Sequence, residues 1–381
     1  MSNTAVSERN ARILWIVYLN VILYAFCFQL QRPLEPYLVD KLSTANSADE
    51  YARLQSFFSI VQTFGSLFTG FFLDKFSAKT GFVITFISSA LSYYILSIST
   101  SIEILYLSKI PTVFQAGFLC SQLAASQLTS DGSERVKALG RLTMCYTLGM
   151  ILGPAMGGWL GTTGDYYFAA KLSTAGSLLS VGLTFLMPSY SLVPSSTTSS
   201  TEGSAAKLES KSSGGGSILS RVVHILSVVW LLLAVKILTG VANSIAATVL
   251  PLILKDLYAF KEVHMGLFMS VSSGFNAIVN GVFLGPILAL FKDNLSNAIS
   301  VCLLIMFLFY LLEAFMTRES VTLLLDTTIT SLTGVQIPTG LNVFIVITFI
   351  LSCVQYVLST TVTGESTGRV SDADKGTLLG S

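Results

Sequence analysis

Residues 148–161 read LGMILGPAMGGWLG, and this apolar stretch decides how the chain is interpreted. It carries a GxxxGPxxGG pattern formed by Gly149, Gly153, Pro154, Gly157 and Gly158. Glycines four positions apart share one face of a helix, where the missing side chains let a second helix approach closely. Pro154 lacks the backbone N–H that a helix interior uses. The stretch therefore predicts a spanning helix that packs tightly and flexes.

The composition around this stretch is that of a membrane protein. Hydrophobic residues make up 52% of the chain and charged residues 11%, against about a quarter charged residues in soluble domains. A net charge of +1 argues against nucleic acid as a partner. The two histidines and five separated cysteines have no spacing typical of a metal site or a disulfide. We expect an all-α protein of the bilayer that has no metal or cofactor and is not an enzyme.

Apolar runs of about 20 residues are needed to cross a bilayer. We predict ten such helices, at 13–38, 54–73, 81–99, 103–129, 138–161, 166–187, 228–254, 263–291, 296–316 and 341–363. A segment rich in Ser, Thr and Gly follows the sixth and predicts a flexible linker. The expected order is a cytosolic N-terminus 1–12, a six-helix bundle 13–188, the linker 189–219, a four-helix bundle 220–364 and a cytosolic tail 365–381.

The distribution of Lys and Arg predicts that both termini are cytosolic. Basic residues are more frequent in the segments that this orientation places inside than in those that it places outside. The membrane would be the plasma membrane or an endomembrane.

Arg318, Glu319 and Asp326 interrupt the apolar character of residues 316–340. We therefore expect an outer loop there with an amphipathic or re-entrant part, because charge inside the bilayer is costly.

Two motifs resemble those of the major facilitator superfamily. The charged turn GFFLDKFSAK at 70–79 resembles its signature between helices two and three, although Ser77 and Ala78 replace the usual glycine and arginine. LGMILGPAMGGWLG resembles its helix-five motif, which is most associated with proton-coupled antiporters. ERVKALGRL at 134–142, PYL at 36–38 and Lys236 resemble the member-18 type of solute carrier family 22, a tetracycline-transporter-like, organic-cation-transporter-like group.

The resemblance implies a secondary active transporter that moves small organic ions or drug-like molecules by alternating access. Proton-coupled antiport is the form of coupling that the resemblance implies, while uniport or facilitated diffusion stays open. It also implies a cytosolic gate in which Asp74 latches the two halves together, with Gly70, Lys75 and Lys79 in the same motif. The alternative for this motif is an ordinary basic turn on the cytosolic side.

A short internal sequence similarity bears on the number of helices in the second bundle. SDGSERVKALG at 130–140 resembles SDADKGTLLG at 371–380, and the first precedes helix five. Since transporter halves are often repeats of six helices, the second bundle would be incomplete, with its last two helices missing. Chance similarity of two polar loops is the alternative. The echo motivates a second hypothesis of another class: a truncated, non-transporting receptor, scaffold or regulatory isoform.

Polar residues at helical spacing are candidates for lining a substrate or ion cavity. The candidates in helix one are Asn20, Tyr24, Gln31, Arg32 and Glu35, and Cys27 lies on the same helical face. The candidates in helix four are Gln115 and Gln122. The second half adds Lys236, Asn243, Asn276 and Asn280. Arg32 and Glu35 lie one turn apart and are candidates to pair with each other. The asparagines and glutamines have the alternative of bonding neighbouring helices. Lys109 is placed roughly where many superfamily members have an arginine linked to proton coupling.

We expect Asp74→Asn to impair transport without lowering the amount of folded protein, because it removes one charge of the cytosolic latch. Uptake and efflux of a fluorescent organic cation by proteoliposomes, normalised to reconstituted protein, measure the effect. Unchanged rates in both directions would remove Asp74 from the gate.

Overall fold

Helices are the regular elements of the part of the chain that the computed structural model describes, and no strand occurs in it. The described residues are 3–43, 46–75, 78–129, 132–187, 218–290, 295–318, 326 and 339–368. The first eight α-helices are α1 Asn3–Leu30, α2 Glu35–Leu42, α3 Ser47–Lys75, α4 Ala78–Ser97, α5 Ile102–Lys109, α6 Gly117–Leu128, α7 Gly132–Gly161 and α8 Phe168–Leu186. The others are α9 Ile218–Asp256, α10 Glu262–Ile278, α11 Leu284–Leu290, α12 Leu295–Met316 and α13 Thr339–Gly368.

Each of the ten predicted spans coincides with one or more helices. Seven of the described helices are long and apolar enough to cross a membrane: those of α1, α4, α8, α9, α10, α12 and α13. The other three predicted spans fall on α3, on α5 with α6, and on α7. An all-α, polytopic membrane protein is therefore confirmed, while the division into six and four helices stays a prediction.

Two predicted spans are interrupted, and proline explains both breaks. The span 13–38 ends as a helix at Leu30, and α2 begins at Glu35 after a turn. Pro33 has no N–H to continue the first helix, and Pro36 suits the first turn of the next one. In the span 103–129 a 3₁₀ helix, Ile110–Phe114, separates α5 from α6 and has Pro111 at its start.

The chain divides into two compact units, Met1–Leu192 with Thr248–Gly274 and Val193–Ala247 with Phe275–Ser381. In the first unit α1 packs mainly against α7 and α8, and α4 packs against α8 and α6. A buried apolar cluster joins these helices: Ile13, Val17, Val21, Phe82, Phe86, Cys120, Ala124 and Leu142. Burial of such side chains is the main favourable term that holds the unit together.

The glycines of 148–161 place α7 directly against the backbone of α1. A Cβ atom at Gly149 would lie 2.7 Å from the backbone nitrogen of Phe26. One at Gly153 would lie 2.9 Å from the Phe26 carbonyl oxygen, and one at Gly157 would overlap the carbonyl of Leu30. Side chains at these positions would force the two helices apart.

In the second unit α12 packs against α13. Glu313 of α12 accepts a hydrogen bond from the Thr348 hydroxyl of α13 at 3.3 Å. The rings of Phe275 and Phe349 also meet edge to face, 5.0 Å apart. The amphipathic or re-entrant part expected at 316–340 lies largely outside the described residues. Residues 189–217 of the predicted linker 189–219 also lie outside them, as do residues 369–381 of the predicted tail 365–381, while 218–219 and 365–368 are helical.

Gly157→Leu should destabilise the first unit by about 1–3 kcal/mol or more, because the added side chain meets α1 backbone that cannot yield. Gly140→Leu is the matched control on the same helix, since nothing lies within 4 Å of a Cβ there. Thermal unfolding of the purified variants in detergent compares them. Equal melting temperatures for both variants and the parent would contradict the close contact between α7 and α1.

Candidate functional site

The break between α5 and α6 exposes backbone carbonyls inside the helix bundle. Gln115 and Ala116 leave the helical path after the 3₁₀ turn. An apolar environment supplies no water to carbonyls that have lost their helical N–H partners, so other groups of the protein must satisfy them. A Cβ at Gly65 of α3 would overlap the carbonyl of Val113, which shows how closely α3 approaches the break.

Side chains from three other helices bond the carbonyls of this region. The donors on α4 are Ser92, Ser88 and Thr85, which bond the carbonyls of Ser108 at 2.7 Å, Pro111 at 2.6 Å and Phe114 at 3.0 Å. The donors on α3 and α1 are Gln62, to Thr112 at 3.1 Å, and Tyr24, to Gln115 at 3.0 Å. These bonds, some of them to carbonyls that also accept a backbone N–H, tie the break to α1, α3 and α4 together.

An ion pair lies next to the break. Lys109, the last residue of α5, donates from Nζ to the Glu35 carboxylate at the start of α2. Their side chains are only 14% and 11% exposed. Gln55 of α3 donates to the second carboxylate oxygen at 2.8 Å. A buried charge pair with this extra bond is costly to break by removing one partner, because the other charge stays buried.

The ends of two short helices favour these charges. A carboxylate in the first turn of a helix and an ammonium in the last turn each interact favourably with the helix dipole. Glu35 lies in the first turn of α2 and Lys109 in the last turn of α5. Both positions exist only because proline breaks the two predicted spans. The pair is thus a product of the breaks.

A cavity of about 40 Å³ borders the ion pair. Its lining includes Phe28, Gln31, Arg32, Glu35, Gln55, Phe58, Ser92, Tyr93, Lys109, Thr112 and Gln115. Gln115 donates to the Tyr93 hydroxyl at 2.9 Å, and both side chains belong to this lining. A volume of this size holds about two or three waters. The cavity therefore suits one charged or polar group of a ligand.

The structure pairs Glu35 with Lys109 and not with Arg32. Among the described residues, Lys109 and Gln55 bond the carboxylate. The Arg32 guanidinium lies over the ring of Phe28, 5.6 Å from its centroid. The hypothesis of an ion pair within one helix turn is therefore wrong for this structure. The turn at 31–34 explains it, since Arg32 and Glu35 no longer share a continuous helix.

Two other helix-one candidates make contacts between helices. Asn20 is fully buried and donates to the Thr184 hydroxyl at 3.5 Å, and Gln31 donates to the Ser173 hydroxyl at 3.3 Å. Gln122 is exposed. Gln31, Arg32, Glu35 and Gln115 are brought together at the cavity, while Asn20 and Gln122 are outside its lining.

The second-half candidates are more dispersed. Lys236 is exposed on α9, and Asn243 and Asn276 are half-buried. The side chain of Asn280 lies outside the described part, although its backbone is in the π-helical turn Val279–Phe283. Their role in a cavity stays a prediction.

The cytosolic motif at 70–79 is described only in part. Gly70, Asp74 and Lys75 lie in the last two turns of α3. The side chains of Asp74 and Lys75 are outside the described part, as are residues 76 and 77. Lys79 of α4 donates to the carbonyl of Met187 at 2.6 Å, just after α8 ends. The latch role of Asp74 stays a prediction.

A second polar cluster lies at the end of the first unit where α2, the 162–167 segment and the 256–262 segment meet. The hydroxyl of Tyr37 donates to the Phe260 carbonyl at 2.6 Å, and that of Tyr166 donates to Glu262 at 2.6 Å. Lys255 pairs with Asp40 at 3.1 Å. We call this set the α2 interlock.

Two further features lie at or near the α2 interlock: a close contact between α7 and α10, and a lowered pKa of Asp40. Gly158 of α7 and Gly266 of α10 touch through their backbones, so that a Cβ on either would overlap the other helix. A hydrogen bond from Ser47, followed by the bond and charge of Lys255, lowers the pKa of the Asp40 carboxyl. Asp40 therefore stays ionised at neutral pH.

Sequence reasoning missed the carbonyl-binding side chains of α4. Thr85, Ser88 and Ser92 are spaced three and four residues apart, so one helix face carries them. Pro111 inside an apolar run is the accompanying signal, because it marks where carbonyls lose their partners. The sequence indicates Lys109 as a candidate by its position in helix four. Its contact with Glu35 depends on two separate helix breaks, which periodicity does not reveal.

Comparisons with known proteins agree with this architecture. The family model described as Major Facilitator Superfamily matches residues 17–372. Solute carrier family 22 member 18 of Mus musculus is 25% identical over 287 residues, which cover 74% of this chain and 69% of that protein. The tetracycline resistance protein, class H, of Pasteurella multocida is 28% identical over 149 residues, 38% of this chain and 37% of that protein. The predicted resemblance to the member-18 type is confirmed.

Solved structures share the fold at low sequence identity. The crystal structure of nucleoside transporter NupG matches with a TM-score of 0.61 and 14% identity, covering 97% of this chain and 86% of that chain. At this identity the likeness shows the fold alone.

Ser88→Ala should lower the free energy of unfolding by about 1 kcal/mol, because it removes the hydrogen bond from α4 to the part-buried carbonyl of Pro111. Ser59→Ala is the control, since that exposed hydroxyl bonds only to the Gln55 carbonyl of its own helix. Thermal unfolding in detergent compares the two. A melting temperature equal to that of the control would show that the break does not depend on α4.

Proposed function

The chain belongs to the Major Facilitator Superfamily and is a multi-pass membrane transport protein, and from this premise we propose a secondary active transporter of small organic ions or drug-like molecules. The observation that carries the proposal is the buried ion pair between Glu35 and Lys109 beside a cavity. Ionisable side chains inside a spanning bundle are costly, so they are functional by default. Here the pair also lies at two helix breaks, where transporter binding sites commonly form.

Glu35 is the proposed proton-coupling group. Protonation would neutralise its carboxylate and remove the ionic bond to Lys109, whose charge would then be left in a site of low polarity. A pair that is either joined or separated has two discrete arrangements, as a conformational switch needs. The resemblance of Lys109 to the superfamily's basic residue supports the same role. Exchange of protons for a small organic ion is the proposed form of coupling.

Two gates are proposed for alternating access. The α2 interlock consists of two hydrogen bonds and one salt bridge, in which Asp40 is half-exposed and Lys255 is largely buried. Such contacts open at low cost, so we assign the interlock to the outer gate. The motif with Gly70, Asp74, Lys75 and Lys79 is proposed as the cytosolic gate on its resemblance alone. Lys236, Asn243, Asn276 and Asn280 are proposed to line the substrate path in the second half.

The domain plan and orientation are part of the proposal. We place the bundles at 13–188 and 220–364, joined by the linker 189–219, with both termini in the cytosol. The non-transporting alternative is not favoured. Similar proteins include multidrug and tetracycline resistance proteins, and structures that share the fold include peptide and nucleoside transporters.

We expect Glu35→Gln to abolish the dependence of transport on an imposed pH gradient, because the amide cannot take up a proton. Movement of a fluorescent organic cation down its own gradient should persist. Proteoliposomes with and without the pH gradient measure both rates. Glu103→Gln, which alters an exposed carboxylate on α5, is the control and should behave like the parent.

Stability separates a coupling defect from misfolding. Glu35→Gln leaves Lys109 buried without its anion, which costs about 3 kcal/mol or more. The double variant Glu35→Gln with Lys109→Gln removes both charges and should regain most of that loss while staying insensitive to the gradient. If Glu35→Gln still responds to the pH gradient like the parent, Glu35 is not the coupling group.

A further inference from the structure

We propose that the cavity beside Lys109 binds the carboxylate group of a small organic anion, which takes the place of the Glu35 side chain. The inference rests on the proposed function, because it names the substrate class of the same site. In the structure Glu35 holds the ammonium of Lys109 as a ligand carboxylate would. The internal carboxylate therefore marks the position and the chemistry of the external one.

The charge of the cavity favours an anion. Its charged lining residues are Arg32 and Lys109, both cations, and Glu35, one anion. Two positive charges against one negative charge leave a net charge of +1, and this rises to +2 when Glu35 is protonated. A cationic ligand would be repelled in either state. An anionic group would be attracted in both.

Arg32 supplies the second cation. It lines the cavity while remaining exposed, so a ligand has access to it. Within the described part of the chain, the salt bridges use other cations: Lys109, Lys171 and Lys255. A guanidinium that has no carboxylate partner offers the two parallel donors that fit a carboxylate.

Two phenylalanine rings beside the cations offer an apolar contact to the body of the ligand. Arg32 lies over the ring of Phe28 and Lys109 over that of Phe58, at 5.6 Å and 5.4 Å from the ring centroids. The two rings are 6.3 Å apart. Since about 40 Å³ accommodates only a small group, the carboxylate would enter the cavity while an aromatic body contacts these rings.

Binding would be linked to protonation of Glu35. The ionised Glu35 competes with the ligand for Lys109, whereas the protonated side chain does not. Ligand binding and protonation of Glu35 therefore favour each other. The groups that face Glu35 are Lys109 from α5, Arg32 from the turn after α1, and Gln55 and Tyr51 from α3. Tyr93 from α4 completes the ionisable lining.

Binding of radiolabelled benzoate to the detergent-purified full chain tests the proposal. Benzamide and benzamidine have nearly the same shape but are neutral and cationic, so they serve as competitors that separate charge from shape. We expect unlabelled benzoate to displace the label at least about tenfold more effectively than either competitor.

Three variants test the residues. Arg32→Gln should weaken benzoate binding by about tenfold or more, whereas Arg53→Gln, an exposed arginine of α3 outside the lining, should leave it unchanged. Glu35→Gln should strengthen binding, because the neutral amide competes less well for Lys109. Arg32 is exposed, so its variant should fold even if Glu35→Gln does not, and thermal unfolding without benzoate verifies this.

Three results would overturn the proposal: displacement by benzamidine as strong as that by benzoate, equal benzoate affinity of Arg32→Gln and the parent, or loss of benzoate binding in a folded Glu35→Gln. The binding assay does not require transport. Benzoate binding without any gradient-driven transport would contradict the proposed function alone. Gradient-driven transport of the fluorescent cation by a protein that fails to bind benzoate would contradict the anion site alone.

Discussion

The hydrogen-bonding demand of backbone carbonyls in an apolar medium is the constraint on which this structure depends. A spanning helix satisfies that demand by itself, and a broken one does not. The break between α5 and α6 is tolerated because hydroxyl and amide donors of α1, α3 and α4 bond its carbonyls. The same requirement fixes where these helices can lie. The position of Lys109, and with it the ion pair, follows from that arrangement.

Close backbone packing between α7 and α1 positions the helices that form the site. Gly149, Gly153 and Gly157 bring α7 against α1. α1 in turn carries Tyr24 to the carbonyl of Gln115, and the turn after it leads to Glu35 at the start of α2. The glycine face therefore acts at a distance from the cavity by setting the position of α1. A change at these glycines and a change at the break should consequently affect the same assembly.

The class of fold was readable from the sequence because it depends on long apolar runs and on two short motifs. Each of the ten predicted spans coincides with described helix. Helix interruptions were not predicted, because hydropathy over a window of about 20 residues averages across a single proline. Pairing of Glu35 with Lys109 depends on both interruptions, so residue spacing favoured Arg32 instead. Spacing identifies residues on one helix, whereas a site between helices depends on where each helix ends.

Short helices at the ion pair suit a site that must rearrange. α2 and α5 each have eight residues, a length at which a helix is only marginally stable by itself and depends on its contacts. Their facing ends carry Glu35 and Lys109, so the charge state of one carboxylate acts on the termini of both helices at once. A long unbroken helix would resist such a local change along its whole ladder of hydrogen bonds. The breaks that made the polar network necessary thus also confine the response to protonation or to an incoming carboxylate to two short segments.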